Sequence, residues 1–238
     1  MEQERKYDLS IILIAYNEEN FLENCIYTII NTVRPLQINY EIVVVENGST
    51  DKTFQIAKKL SEEFSNISCE HLDEPNPAGA MRRGYFLARG KTIINLDVDL
   101  STDMKYFESL YNYSKEFDLV TGSRYMDKKL VKRTLDRLIL SVIFNRILIN
   151  GLLGSKIKDN NCGFRAIRRD VGVELFNEIK DDNVFGIVEL IVRAQKNNFL
   201  IKEFPVEWKE NPRRIGMRKI LKFLIPALRL WFRLRLKI

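Results

Sequence analysis

The sequence predicts an α/β fold in which helices flank a mostly parallel sheet, and three observations lead to this prediction. Short apolar runs alternate with amphipathic segments, which is the pattern of βαβ units. Polar side chains follow the ends of the apolar runs, where ligands bind in parallel sheets. The composition, 45% apolar and 29% charged over 238 residues, supports a sizeable core and excludes a disordered chain.

The individual elements follow from hydrophobic periodicity. Short runs rich in Val, Ile and Leu predict strands, most of them buried on both faces. These are Asp8–Ala15, Tyr40–Glu46, the weaker Ser68–Leu72, and Thr92–Leu96. Apolar residues at helical spacing predict amphipathic helices. These are Glu19–Val33, Asp51–Phe64, Ala78–Ala88, Leu130–Asn150 and Gly186–Lys196.

The cysteines and the single histidine exclude two classes of site. Cys25, Cys69 and Cys162 are far apart in the sequence, and no CxxC pair is present. No metal-ligand spacing surrounds them or His71, so we expect neither a zinc site nor a disulfide framework. This cysteine usage is typical of a reducing compartment.

The positive charge is concentrated at the C-terminal end. The whole chain carries a net charge of +6, but Lys209–Ile238 holds ten Lys/Arg and one Glu, which leaves residues 1–208 with a net charge of −3. A mildly acidic body argues against nucleic-acid binding, and a basic tail favours contact with an anionic surface. The sequence shows neither a signal peptide nor an uncharged stretch long enough to span a bilayer.

Two aspartates follow the fourth predicted strand. Asp97 and Asp99 are spaced i, i+2, so their side chains point to the same side. Without a cation the two charges would repel each other, and carboxylate oxygens are the ligands that Mg²⁺ or Mn²⁺ prefers. Such an ion also stabilises a departing nucleoside diphosphate. The pair therefore predicts a metal site for a phosphate-bearing substrate.

The segments SIILIAYNEE, EIVVVENGSTDKT, INLDVDLS and CGFRAIRRD, taken in this order, resemble the motifs of the family-2 inverting glycosyltransferases. The resemblance extends from about Asp8 to Lys219, and within the family it is strongest to the dolichyl-phosphate mannose and glucose synthases. It implies a GT-A fold and the metal-dependent transfer of a hexose, mannose or glucose, from GDP- or UDP-hexose to a polyprenyl phosphate.

The resemblance also implies roles for single residues on the donor side. It places Asp97 and Asp99 at the metal and the sugar diphosphate, and it makes Arg124 a phosphate contact. It assigns nucleotide-sugar binding to Ala15, Tyr16, Asn17, Glu18, Glu46, Asn47, Asp97, Arg213 and Lys219. Glu46-Asn47 departs from the family's usual acidic pair, so the base stays open. Ser101 replaces a frequent Gln near the metal, which leaves the third protein ligand open.

A polar stripe on the predicted helix Leu130–Asn150 suits an acceptor phosphate. Arg133, Arg137, Ser141 and Asn145 recur every four residues on a segment that is otherwise largely apolar. Arginine can bind two phosphate oxygens at once. We therefore assign Arg133, Arg137 and Ser141 to the acceptor phosphate. The predicted catalytic residues are then Asp97, Asp99, Arg124 and Arg137. A solvent-facing stripe is the alternative.

An expected base is absent from the sequence. Many family members with hydroxyl acceptors carry Glu-Asp before a Glu-Leu pair, where this chain has Gly186-Ile187 before Glu189-Leu190. An alcohol needs a base in order to attack, whereas a phosphate is already anionic. The absence favours a phosphate acceptor. Two alternatives stay open: a hydroxyl acceptor with Glu189 or Asp159 as base, and a non-catalytic subunit that binds sugar nucleotides.

The C-terminal end is predicted to be a separate element. Residues 1–216 form the predicted GT-A domain, and residues 217–238 form a basic amphipathic helix. Its basic face, opposite Leu, Trp and Phe, is typical of helices that lie in a membrane interface. The prediction is a peripheral protein on the cytoplasmic face of a membrane; packing of the helix on the domain's own core is the alternative.

Overall fold

The computed structural model describes residues 7–127, 130–132, 149–179, 185–209 and 228–233. Its strands are β1 Tyr7–Ala15, β2 Tyr40–Asn47, β3 Ile67–Leu72, β4 Gly90–Leu96, β5 Leu119–Ser123, β6 Val131–Lys132, β7 Arg165–Arg168, β8 Ile201–Pro205 and β9 Trp208–Lys209. Its helices are α1 Leu22–Val33, α2 Thr53–Glu63, α3 Pro77–Leu87, α4 Phe107–Tyr113, α5 Arg169–Glu178 and α6 Phe185–Lys196. Residues 228–233 are also helical.

The predicted mostly parallel sheet is confirmed. Within the described ranges the strands form a seven-stranded sheet in the order β3-β2-β1-β4-β7-β5-β8, and a two-stranded sheet pairs β6 with β9. In the large sheet, β7 alone runs against its neighbours β4 and β5. Its first residue therefore lies near the carboxyl end of β4, the edge where polar side chains were expected.

Helices cover both faces of the sheet. Alternate strand residues enter opposite cores because successive side chains of a strand point to opposite faces. Ile11 and Val44 pack in one core with α1 and α2, whereas Ile12 and Val43 pack in the other with α3 and α5. This two-sided burial explains why β1 and β2 read as continuous apolar runs.

One predicted helix was wrong at its start. Leu130–Asn150 was expected to be helical throughout, but Val131–Lys132 is strand β6, which pairs in parallel with Trp208–Lys209. This tertiary pairing overrides the local helical periodicity. The residues 133–148 lie outside the described part of the chain, and with them Arg133, Arg137, Ser141 and Asn145.

The described part of the C-terminal segment packs on the body. Leu230 is fully buried in a cluster with Ile149, Leu153, Val188 and Val192, whereas Leu228 and Phe232 are exposed. Arg233, which belongs to the basic face of the predicted helix, lies 3.6 Å from buried Glu189. No helix among the described residues is long and apolar enough to cross a membrane. The boundary at residue 217 stays a prediction.

Candidate active site

The aspartate pair lies directly beyond the carboxyl end of β4. The chain turns sharply there, since the N–H of Leu100 donates to the carbonyl oxygen of Asp97 at 3.0 Å and Leu100 has a φ of 47°. Ser101 then binds Asp99 twice, because its N–H and its hydroxyl donate to Oδ1 at 3.0 and 2.5 Å. This turn holds Asp99 in place beside Asp97.

Gly163 leaves the room that the Asp97 carboxylate occupies. A Cβ atom at Gly163 would lie 2.1 Å from Oδ1 of Asp97 and 2.5 Å from both Cγ and Oδ2. This close approach exists because Gly163 shortly precedes the antiparallel β7, whose beginning lies beside the end of β4. The CGFR motif thus contributes a glycine to the site, a role that the sequence did not indicate.

The pKa of Asp97 is raised to about 6. Burial of the carboxyl by the surrounding protein is the largest cause, and the negative charge of Asp99 acts in the same direction. Arg124 and Arg165 oppose both effects. The residue is also accessible to solvent, so water screens part of the effect of burial. A bound cation would offset the repulsion between the Asp97 and Asp99 carboxylates.

The donor atoms suit a hard divalent cation. Among the described residues, no group of three acidic, His or Cys side chains could hold a metal. Asp97 and Asp99 offer two carboxylates at the end of β4. Mg²⁺ or Mn²⁺ bound by one or two carboxylates completes its shell with water and substrate phosphates. The Ser101 hydroxyl is engaged with Asp99. The residues fit such an ion, with substrate oxygens as its remaining ligands.

Arg124 is held by Asp159 in a two-point contact. Its Nε and its terminal nitrogen donate to the two carboxylate oxygens at 2.6 and 2.7 Å, and its backbone N–H donates at 3.0 Å. Burial alone would raise the pKa of Asp159, but the charge and hydrogen bonds of Arg124 outweigh it and lower the pKa. The guanidinium also lies 5.5 Å from the ring centroid of Trp208. Its predicted phosphate contact stays a prediction.

The loop after β1 is joined to the loop after β2. Asn17, in the left-handed region at φ 55°, donates its N–H to Oγ of Ser49 at 3.0 Å, and its Oδ1 accepts from the N–H of Thr50 at 2.9 Å. The N–H of Glu18 donates to Oγ1 of Thr53 at 2.8 Å. Ala15 is buried beneath the loop and Tyr16 is 43% exposed. These contacts join the two loops, and in the sheet β1 lies next to β4, the strand that ends at the aspartates.

Glu46 and Asn47 are buried and engaged with protein groups. Glu46 accepts from the N–H of Ser49 at 2.6 Å and also contacts Nδ1 of His71. Asn47 accepts from the N–H of Asn76 at 2.7 Å. The contacts predicted for the base and the ribose stay predictions. The Glu46–His71 pair was missed because it depends on the register of β2 with β3, which places the two residues opposite each other.

The carboxylate of Glu189 also faces two arginines. It is fully buried on α6, where its Oε1 accepts from Nε of Arg193 at 2.7 Å and its Oε2 lies 3.6 Å from Arg233. Arg193 also binds Glu178 at 2.7 Å. Arg213 and Lys219, predicted to cover the donor diphosphate, lie outside the described residues.

A family model covers most of this architecture. The model described as "Glycosyl transferase family 2" matches residues 10–176, from β1 through nearly the whole of α5. This range contains the loops after β1 and β2, the aspartate pair, Arg124 and Asp159. The chain belongs to glycosyl transferase family 2. The match includes both the aspartate pair and the glycine that packs against it.

The similarity to known proteins extends beyond the residues that the family model matches. This family 2 chain is 34% identical to glycosyltransferase AglD of Haloferax volcanii over 237 residues, which cover 97% of the chain and 38% of that protein. It is 32% identical to the dolichyl-phosphate beta-glucosyltransferase ALG5D of Trichomonas vaginalis, covering 97% of the chain and 75% of that protein. A Dictyostelium discoideum protein of the same activity name is 33% identical, covering 85% of the chain and 66% of that protein.

Solved structures confirm the predicted GT-A fold. Glucosyl-3-phosphoglycerate synthase from Mycobacterium tuberculosis, in complex with Mn²⁺, UDP-glucose and phosphoglyceric acid, aligns with a TM-score of 0.64 at 16% identity and covers 93% of this chain and 78% of that one. TarS of S. aureus, in complex with UDP-GlcNAc, aligns with a TM-score of 0.59 at 15% identity and covers 94% and 65%. At these identities the likeness concerns the fold.

Proposed function

We propose that this family 2 chain transfers glucose from a nucleoside diphosphate glucose to a polyprenyl phosphate such as dolichyl phosphate, with inversion at the anomeric carbon. The names of its Trichomonas and Dictyostelium relatives support glucose and the lipid phosphate acceptor. The two-carboxylate site at the end of β4 supports a metal-bound diphosphate leaving group. Two relatives carry "beta" in their names, which fits a single displacement that inverts an α-linked donor.

The observation that carries the proposal concerns the two possible bases. A hydroxyl acceptor needs a free carboxylate to take its proton. Asp159 is bound at two points by Arg124, which lowers its pKa, and Glu189 is buried against Arg193. Neither carboxylate is available as a base. A phosphate monoester with a second pKa near 6 is already an anion at neutral pH and needs none.

The protein residues then act by positioning and by charge. Asp97 and Asp99 hold the cation site at the end of β4, and Gly163 fixes where the Asp97 carboxylate lies. A bound Mg²⁺ or Mn²⁺ would act as a Lewis acid that stabilises the negative charge on the leaving diphosphate. Arg124, oriented by Asp159, supplies positive charge on the same side of the sheet. On the acceptor side we retain Arg133, Arg137 and Ser141 as phosphate ligands.

We also propose that the C-terminal segment brings the protein to a membrane surface. The exposed side chains of Leu228, Arg229 and Phe232 combine apolar surface with positive charge, which suits an anionic lipid interface. Leu230 and Arg233 attach the same helix to the body. The helix would thus place the active site close to a lipid-borne acceptor, at the cytoplasmic face.

Transfer assays with matched acceptors test the proposal. Purified protein receives UDP- or GDP-linked glucose or mannose, together with either a short polyprenyl phosphate or the corresponding polyprenol, in the presence of Mn²⁺, Mg²⁺ or EDTA. We expect glucosylation of the phosphate only, and only with a divalent ion. Transfer to the polyprenol or to saccharide hydroxyls would favour a hydroxyl acceptor, and binding without turnover would favour a non-catalytic subunit.

A pair of variants on one loop controls for indirect effects. Asp99→Asn removes one carboxylate of the proposed cation site. Asp103→Asn removes another carboxylate four positions later, one that caps a short turn by accepting from the N–H of Lys105 at 3.0 Å. We expect transfer to be lost in the first variant and retained in the second. Equal activity of Asp99→Asn and wild type would refute the metal site.

A further inference from the structure

The only histidine of the chain lies opposite a fully buried glutamate at the edge of the sheet. Glu46 is paired with His71 in the register of β2 with β3, and its Oε2 contacts Nδ1 of the ring. Its other oxygen, Oε1, accepts from the N–H of Ser49 at 2.6 Å. Ser49 in turn accepts from the N–H of Asn17 at 3.0 Å, so the pair is connected to the loop after β1.

These contacts assign the tautomer of the imidazole. A neutral histidine has one N–H donor and one acceptor nitrogen, and the hydrogen bond at one nitrogen decides which is which. A carboxylate only accepts, and here it accepts from the Ser49 amide and from the ring. In the neutral ring Nδ1 therefore carries the proton, which leaves Nε2 with a lone pair as an acceptor.

The acceptor nitrogen faces accessible space. The side chain of His71 is 39% exposed. Oδ1 of the fully exposed Asp73 lies 3.7 Å from Nε2, which is too long for a hydrogen bond. One side of the ring packs on Phe54, with centroids 4.5 Å apart and planes inclined by 35°. Glu46 and Phe54 together fix the direction in which Nε2 points.

The distance of the pair from the aspartates suits a nucleoside diphosphate. Along the sheet order, β4 and β3 are separated by β1 and β2, hence by three strand intervals or about 14 Å. A nucleotide whose diphosphate lies at the end of β4 and which extends over β1 and β2 brings its base to the end of β3. Among the described residues at this end of β3, His71 presents an acceptor whose direction is fixed by its contacts with Glu46 and Phe54.

We propose that Nε2 of His71 selects the base of the sugar nucleotide by accepting a hydrogen bond from a ring imide N–H. This inference rests on the proposed function, because it assumes a nucleoside diphosphate donor. Uracil presents such a proton at N3 and guanine at N1, whereas cytosine N3 and adenine N1 are acceptors and would face Nε2 with two lone pairs. His71 is therefore a specificity-determining residue that admits uracil or guanine and disfavours cytosine and adenine.

Calorimetric binding of UDP, GDP, CDP and ADP in the presence of Mn²⁺, at about pH 8, tests the selection. We expect wild type to bind UDP or GDP roughly 10- to 100-fold more tightly than CDP and ADP, which is the effect of one unsatisfied polar contact. The uracil and guanine arms of the experiment identify the base actually used.

Two variants change the acceptor in different ways. His71→Phe keeps a ring against Phe54 but has no nitrogen, so the ratio of UDP or GDP affinity to CDP affinity should approach one. Glu46→Gln can still accept from Ser49 while its amide donates to Nδ1, which moves the ring proton to Nε2 and should reverse the preference towards CDP. Asp73→Asn, next to the ring, should leave the ratio unchanged. General damage to the loop would lower all affinities together without changing their ratio.

The outcomes separate this inference from the proposed function. Wild-type protein that binds none of the four nucleotides would overturn both. Binding of all four with equal affinity, a wild-type preference for CDP or ADP, or an unchanged ratio in His71→Phe would overturn the selection by His71 alone, and the polyprenyl phosphate assay would still decide the reaction.

Discussion

Replacing Gly163 by alanine should separate the activity of the protein from its stability. The new Cβ would lie 2.1 Å from Oδ1 of Asp97 and 2.5 Å from its Cγ and Oδ2. Rotating the carboxylate in place gives no relief, because all three of its atoms are too close. Asp97 must move by about 1 Å, and since it is the end of a side chain at a solvent-accessible edge, the fold can accommodate this movement.

The expected effect on activity follows from how precisely metal ligands must be placed. Metal ligands must be placed within roughly 0.2 Å, and a displacement of about 1 Å can reduce a rate by about 100-fold. We expect Gly163→Ala to lower kcat/KM for glucosyl transfer by about two orders of magnitude and to raise the Mn²⁺ concentration required for half-maximal activity. Its Tm in the absence of metal should change little.

Gly172→Ala is the matched control. Its Cβ would meet Cε1 of Tyr85 at 2.5 Å, which is a comparable clash, but Tyr85 is a fully buried core residue. This variant should lose Tm while its activity per folded molecule stays close to wild type. If Gly163→Ala showed wild-type kcat/KM and metal requirement, the placement of Asp97 by this glycine would be refuted.

Three more predictions concern the acceptor, the C-terminal segment and pH. Arg137→Ala should raise KM for polyprenyl phosphate roughly 10- to 100-fold and leave KM for the sugar nucleotide unchanged; the reverse result would assign Arg137 to the donor. The double variant Leu228→Asn with Phe232→Ser should weaken binding to anionic vesicles in a sedimentation assay without lowering Tm, because both side chains are exposed. Leu230→Ala, at a buried position, should lower the free energy of unfolding by about 2–5 kcal/mol. Vesicle binding by the double variant equal to that of wild type would contradict the membrane contact. Because the pKa of Asp97 is raised from 3.8 to about 6, Mn²⁺ should stabilise the protein in thermal melts above about pH 6 and progressively less below it. Without metal, the stability that the Asp97 carboxyl contributes is present below about pH 4 and is lost as the pH rises through 6. A Mn²⁺ effect independent of pH between 5 and 7 would contradict this shift.

Periodicity predicted β1, β2 and β4 well because these strands are buried on both faces. β1, β2 and β4 were predicted to within two residues. β7 was not predicted, since Arg165–Arg168 is short and carries two arginines. β6 was missed because two residues have no periodicity, and their conformation depends on a partner, β9, far along the chain.

The site residues that belong to a local sequence motif could be predicted, whereas contacts between residues on different strands or loops could not. Asp97 and Asp99 follow a buried strand, which is a local feature. The pairing of Arg124 with Asp159 and of Glu46 with His71 depends on tertiary contacts between residues 35 and 25 positions apart. Gly163 has no side chain whose chemistry could have indicated a role, and only its distance to Asp97 shows one.

The reversed direction of β7 has a consequence for the order of folding. The pairings β1–β2 and β2–β3 join neighbouring segments of the chain. The two pairings of β4 do not, because Tyr7 of β1 pairs with Gly90 of β4, and Asn95 of β4 pairs with Arg165 of β7. Contacts of such long range form late, because the loop must be closed before they stabilise the chain. The part of the sheet formed by β3, β2 and β1 can therefore exist before Gly163 reaches Asp97 at the end of β4, and tight metal binding should be among the last properties that a refolding molecule regains.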